Sequence, residues 1–268
     1  METSPESLLG QLRAVERHAV TSKQHDALKN ARLILYFIQG RGESGEFTKF
    51  LNDSHTSLLS PVLTFATKEE ADSWLSNHPA PPHGATIKAA DACYQIAYSS
   101  QLSLRKFLRL PSEEEFALME EGGDEAGDEA ERVEKEPSLP EMGPGSEYKF
   151  FDFFKWTAFH LYEVEKRIRT PEELEALGAT RIAFEFVMHI GEQYGFAEYW
   201  QTLQELKVSP SLQSFPNRAE AESWLDRQPE PPPPAAVAIG GELHSVGYSR
   251  LKQLRVMIRI PMPRELDG

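Results

Sequence analysis

Apolar residues recur at helical spacing near the start of the chain. Leu8, Leu9, Leu12, Val15 and Ala19 fall on one side of a predicted helix over 6–20. Thr21 or Ser22 caps a second helix, because a side-chain oxygen there accepts from free backbone N–H groups. Ala27, Leu28, Ala31, Leu35 and Ile38 carry its apolar side to Gln39. Gly40, Gly42 and Gly45 interrupt the pattern, and Phe47, Phe50 and Leu51 predict a short helix over 46–52. The period then changes. Val62 to Phe65 reads as a strand, and Thr67 caps a helix over 68–77, with Glu70 at capping-box spacing. Pro79, Pro81 and Pro82 end that helix. Strands over 85–89 and 92–99 follow, and the last strand, Leu104 to Leu110, alternates. Leu104, Leu108 and Leu110 point one way, and Arg105, Phe107 and Arg109 the other. Alternation of this kind predicts a sheet with one buried face and a sheet helix packed opposite the arginines.

The whole pattern occurs twice. Residues 65–111 and 215–261 align without a gap at an offset of 150, identical at 16 of 47 positions. Phe65/Phe215, Trp74/Trp224, Arg105/Arg255 and Arg109/Arg259 are among the identities. Upstream, at an offset of 149, Val15, Glu16, Thr21, Leu28, Arg32 and Phe37 match Val164, Glu165, Thr170, Leu177, Arg181 and Phe186. Gly240-Gly241 in the second copy is a hairpin signal, because glycine accepts positive φ. The expectation is an α+β fold made by tandem duplication. Each copy is an N-terminal helical pair followed by a β-α-β-β-β unit.

The copies differ most at their first helix. Phe150, Phe151, Phe153, Phe154, Trp156 and Phe159 stand where the first copy has METSPESLLG. A helix apolar on most sides needs more than one surface to bury against. It either wedges between the halves or meets a partner, with Phe151 or Phe154 expected to face away from its own sheet.

Charge sets the domain boundaries. The net charge is −14. Residues 112–147 hold 14 acidic and 2 basic residues, while 1–111 and 148–268 come to +1 and −3. The acidity is therefore one segment, dense in like charge and broken by glycine and proline. It reads as a mostly disordered linker between a first repeat domain, 1–111, and a second, 148–268. Neither near-neutral half has the basic footprint of a nucleic-acid reader. The opening residues lack a basic stretch followed by an apolar core, and no apolar run reaches the length of a membrane span. The expectation is a cytoplasmic protein with no membrane partner. Cys93 is the single cysteine, which excludes an intrachain disulfide.

Candidate chemistry is sparse. Arg105, Arg109, Arg255 and Arg259 are the repeated cations on strands, and each pair lies on one face about 13 Å apart. They suit an anion or carboxylate contact, or salt bridges within the fold. Trp74 and Trp224 sit among apolar neighbours and read as core. No histidine pair has metal-ligand spacing, and GRGESG at 40–45 lacks the lysine and hydroxyl of a phosphate loop. The expected cofactor set is empty, with no catalytic residues.

The pattern F-x-[TN]-x-x-E-A-x-x-W-L, a proline-rich turn, and a closing L-R-x-x-[LI]-R-[LI]-P resembles a paralogous family of small, cysteine-poor myxobacterial proteins. Some of these are similar to immunity proteins that protect a producing cell from a cognate toxin. The resemblance covers about 47 residues of each half and implies a non-catalytic, protein-binding role. The leading expectation is a cytoplasmic immunity protein that occludes a toxin sterically. The alternative is a structural or regulatory scaffold without a toxin partner. Phe151, Phe154 and the four repeated arginines are the candidate partner contacts.

Overall fold

The computed structural model describes every residue except 1–3, 54–59, 113–114, 116–135, 141–148, 209–212 and 268. Most of the predicted linker, and the expectation that it is disordered, lies outside the described residues. The chain is α+β. Its first half runs α1 (Pro5–Val15), a 3-10 turn over Glu16–His18, α2 (Ser22–Gly40), α3 (Ser44–Asn52), β1 (Leu63–Phe65), α4 (Lys68–Asn77), β2 (Thr86–Ala89), β3 (Ala92–Ser99) and β4 (Leu104–Arg109). Its second half runs α5 (Lys149–Glu165), α6 (Pro171–His189), α7 (Gln193–Val208), β5 (Gln213–Phe215), α8 (Arg218–Leu225), β6 (Ala235–Ile239), β7 (Glu242–Ser249), β8 (Leu254–Arg259) and α9 (Pro263–Leu266).

Local chemistry accounts for these boundaries. Thr21 accepts from Gln24 N–H while the Gln24 side chain returns to the cap, so α2 opens on a capping box. Thr67 and Asn217 accept from the N–H of Glu70 and Glu220 and start α4 and α8.

Two four-stranded sheets follow the orders β1-β2-β3-β4 and β5-β6-β7-β8. In each, the first pairing is parallel across a helix and the other two are antiparallel. Their registers correspond at the sequence offset: Leu63 faces Ile87 as Gln213 faces Val237, and Tyr94 faces Arg109 as His244 faces Arg259. Side-chain contacts correspond too. Phe65 meets Trp74, and Phe215 meets Trp224, both at 5.5 Å between ring centroids. Glu16 pairs with Arg32, and Glu165 with Arg181. The two-sheet arrangement is consistent with a duplication.

One expectation about the sheets is overturned. The sheet helices lie on the arginine face. Ala71 and Leu75 of α4 share a core with Ile87, Ile96 and Phe107, and Ala221 and Leu225 of α8 share one with Val237, Val246 and Met257. The alternation of leucines suggested the other side. Phe107 and Met257 decide the matter by supplying the apolar surface, and the long arginine stems flank it with their heads at the rim. The leucine face has a different fate in each sheet. In the second, Ile258 and Ile260 are buried in the helical core, so both faces of that sheet are covered. In the first, Leu108 is 42% exposed.

The helices of the two halves share one core. Leu8, Leu12, Leu28 and Phe37 pack in the same cluster as Phe150, Phe153, Leu177 and Phe184. Contacts run across the halves, α2 on α5 and α1 on α6, as well as within them. Asn30 of α2 donates to the Thr157 hydroxyl of α5 at 3.1 Å inside this core. The aromatic helix is therefore wedged against the opposite half. Phe150 and Phe153 are fully buried, each worth about 1.5–3 kcal/mol.

Candidate functional site

The repeated arginines are all occupied within the chain. Arg105 donates to the carbonyls of Leu75, Ser76 and His78 at 2.7–3.0 Å, which closes the C-terminal end of α4. Arg255 does related work in the second half, donating to the Pro229 carbonyl and pairing with Glu230. Arg109 pairs with Glu115 at 3.0 Å, and Arg259 with Glu265 at 2.9 Å. Glu115 and Glu265 each lie six residues past their arginine and accept from the N–H of Ser112 and Met262. The four arginines thus fasten a helix end and the turn after the last strand.

The aromatic candidates divide. Phe154 is half-buried and stacked on Phe184, with centroids 5.2 Å apart and planes 15° from parallel. Phe151 is 49% exposed, with the Lys155 ammonium 4.4 Å from its ring centroid. Eleven residues on, Tyr162 is 55% exposed, with Lys166 4.7 Å from its centroid. Three helical turns separate them, so they share one outer stripe of α5. Tyr162 escaped the sequence reading because its neighbours Leu161 and Val164 are core residues.

A second group was missed altogether. Arg41, Glu43, Glu192 and Arg250 form a buried ionic cluster where α2, α7 and β7 converge. Arg41 donates to Glu43 at 3.0 and 3.1 Å and meets Glu192 at 2.6 Å. Glu192 accepts from the Arg250 N–H at 2.6 Å and pairs with its guanidinium at 3.2 Å, while Glu198 takes its other branch at 2.8 Å. Arg41 also donates to Ser249 Oγ and the Tyr248 carbonyl. Burial pushes the Glu43 carboxyl above the usual range, against the pull of Arg41. Glu43 and Glu198 balance the two arginines within their own halves, and the Arg41–Glu192 pair, with the Arg41 bonds to Tyr248 and Ser249, ties the halves together. The signal was present, since Gly42-Glu43 matches Gly191-Glu192 at the offset of 149. The matching position to Arg41 is Ile190, which hid the pairing.

Beside this cluster, His78 Nε2–H donates to the Arg250 carbonyl at 2.8 Å, and Nδ1 accepts from Ala80 N–H at 3.1 Å. Burial pushes its pKa down, aided by the charges of Arg105 and Arg250. Cys93 is a half-buried thiol without a disulfide. Among the described residues, no group of three or more His, Cys, Asp or Glu side chains is placed to hold a metal, and no helix is long and apolar enough to cross a membrane. Comparison with protein-family models, curated proteins and solved structures finds no match.

Proposed function

We propose that the chain is a non-catalytic, cytoplasmic protein-binding protein, and specifically an immunity protein that neutralises a cognate toxin by steric occlusion. On this reading it is a tandem duplication. Residues 1–111 and 148–268 are two copies of a helical pair and a β-α-β-β-β unit, joined by the acidic segment 112–147. The observation that carries the binding reading is the outer stripe of α5, where Phe151 and Tyr162 are 49% and 55% exposed under lysine ammonium groups. Large aromatics left half in water beside cations fit a contact with an acidic protein surface. The arginines contribute by holding the frame. The scaffold alternative draws on Glu136, which pairs with Lys23 of α2 and lies 3.4 Å from His160 of α5, so that the acidic segment is anchored to both halves.

The test is affinity capture from a native-host lysate with the full chain as bait, followed by expression of the captured protein. Growth arrest by that protein alone, relieved by co-expression of this chain, is the expected result. A captured protein that leaves growth unaffected favours the scaffold. Failure to capture any protein overturns the binding reading.

A further inference from the structure

The two sheets present the same face to different surroundings. In the second sheet the face is covered by α7 and the end of α2. Tyr199 donates to the Arg259 carbonyl at 3.1 Å, Ser245 donates to Thr202 at 3.2 Å, and Leu203 and Leu206 pack toward Leu243 and Ile260. The covering helix thus uses positions 199, 202, 203 and 206, a run of i, i+3, i+4 and i+7. In the first half the matching helix, α3, ends at Asn52, and the position equivalent to Thr202 is its C-cap, Asp53. Contacts of α3 go instead to Phe186 and His189. No helix among the described residues covers the matching face of the first sheet.

That face is formed by Lys88, Cys93, Gln95, Lys106, Leu108 and Leu110. Strand register places Lys88 opposite Cys93, and Gln95 opposite Leu108. Its inner end, at Thr86 and Ala97, is buried, while Lys88, Lys106 and Leu108 are exposed. A groove of about 580 Å³ opens at the Cys93 and Leu110 end. The apolar centre of the second sheet is kept, with Leu108 and Leu110 for Ile258 and Ile260. The flanks are changed, with Lys88 for Ala238 and Lys106 for Val256. Neither lysine has an ion-pair partner among the described residues.

We propose that this face of the first sheet docks an amphipathic helix of a partner protein, apolar on the side it presents and acidic along its flanks. The second sheet shows that the backbone accepts a helix on this face. The lysines on the flanks give the charge complementarity that selects an acidic helix over a neutral or basic one. The proposal stands independently of the stripe on α5, since it uses the other half of the chain and other residues.

Cys93, the single thiol, lies in the face and reports its occupancy. The experiment follows iodoacetamide alkylation of Cys93 in the full chain. Two synthetic 16-residue helices are added in turn, both with leucines at i, i+3, i+4 and i+7, one flanked by glutamates and one by lysines. The expected result is a reactive thiol in the free chain, alkylation slowed at least tenfold by the acidic helix, and no change with the basic one. Lys88→Glu with Lys106→Glu should reverse the preference, and the paired glutamine variants should abolish it, with circular dichroism checking that both stay folded. Three outcomes overturn the proposal. They are no protection by the acidic helix, equal protection by both helices, or a thiol closed to reagent in the free chain until denaturant is added, which would mean that the chain covers this face itself.

Discussion

At the residue scale, side chains that look like chemistry in the sequence do structural work here. Arg105 and Arg255 recur because a proline-stopped helix leaves carbonyls without partners, and a guanidinium can take several at once. Arg109 and Arg259 recur because the turn after each last strand carries a glutamate at a fixed distance. Repetition made these residues visible, but it could not say whether their partners lay inside or outside the chain. The repeat does not mark His78, since its counterpart is Gln228, yet it joins the first half to the Arg250 carbonyl of the second. It yields a prediction about pH. Its folded pKa lies below its ordinary value of 6.5, because burial disfavours the imidazolium and Ala80 N–H needs Nδ1 unprotonated. The unfolded chain therefore binds the proton more readily. The contribution of His78 is complete above about pH 6.5 and is lost as pH falls from there through the folded pKa. His160 and His244, also depressed by burial, act in the same direction. Glu43 and Glu185, raised by burial, act the other way, so the test is a difference: His78→Phe should make the change in urea midpoint from pH 7 to pH 5 less negative than in the unsubstituted chain, while lowering the midpoint at pH 7. An equal change in the variant would show that His78 does not titrate on folding.

At the scale of elements, boundaries were largely legible. The helix over 68–77 and the strand over 92–99 were read directly, because a cap, a proline stop and period-two patterning are local signals. Which face a helix covers is not local. The pattern of Leu104, Leu108 and Leu110 pointed to the wrong side of the first sheet, since Phe107 outweighs them once α4 is in place. Nor could patterning show that α2 ends against β8, where Gly40 lets Ile258 approach its backbone. Gly42 and Gly191 give a controlled comparison at this scale. Both have φ of +69°, so either alanine variant incurs the left-handed penalty of about 1–2 kcal/mol. A Cβ at residue 42 meets nothing within 4 Å, whereas one at residue 191 would lie 2.6–2.8 Å from Pro82, including its backbone. Gly191→Ala should therefore cost about 1–3 kcal/mol more than Gly42→Ala in chemical denaturation. Equal losses would mean that the contact between Gly191 and the proline-rich turn of the first half does not support the fold.

At the scale of the whole molecule, the repeat in the sequence is legible and the two-sheet arrangement is consistent with it, but the way the halves meet is not legible. Two copies of a motif suggest two self-sufficient units. Instead, α1 packs on α6, α2 packs on α5, and the ionic cluster of Arg41, Glu43, Glu192 and Arg250 is completed only by both halves. The aromatic helix explains part of this. Phe150, Phe153 and Trp156 fill the shared core, and Phe151 and Tyr162 are left on its outer side. On the proposed function, core and partner surface are two sides of one helix. The most direct measurement is the affinity of the captured partner for Phe151→Asp and for Tyr162→Asp, with calorimetric unfolding of the same samples. Exposed substitutions away from packed features usually move stability by no more than about 0.5 kcal/mol. Loss of a central aromatic contact costs about 2 kcal/mol, or about thirtyfold in Kd. A large loss of affinity with the unfolding transition in place is the predicted result. Unchanged affinity in both folded variants would contradict the assignment of this stripe as the partner surface.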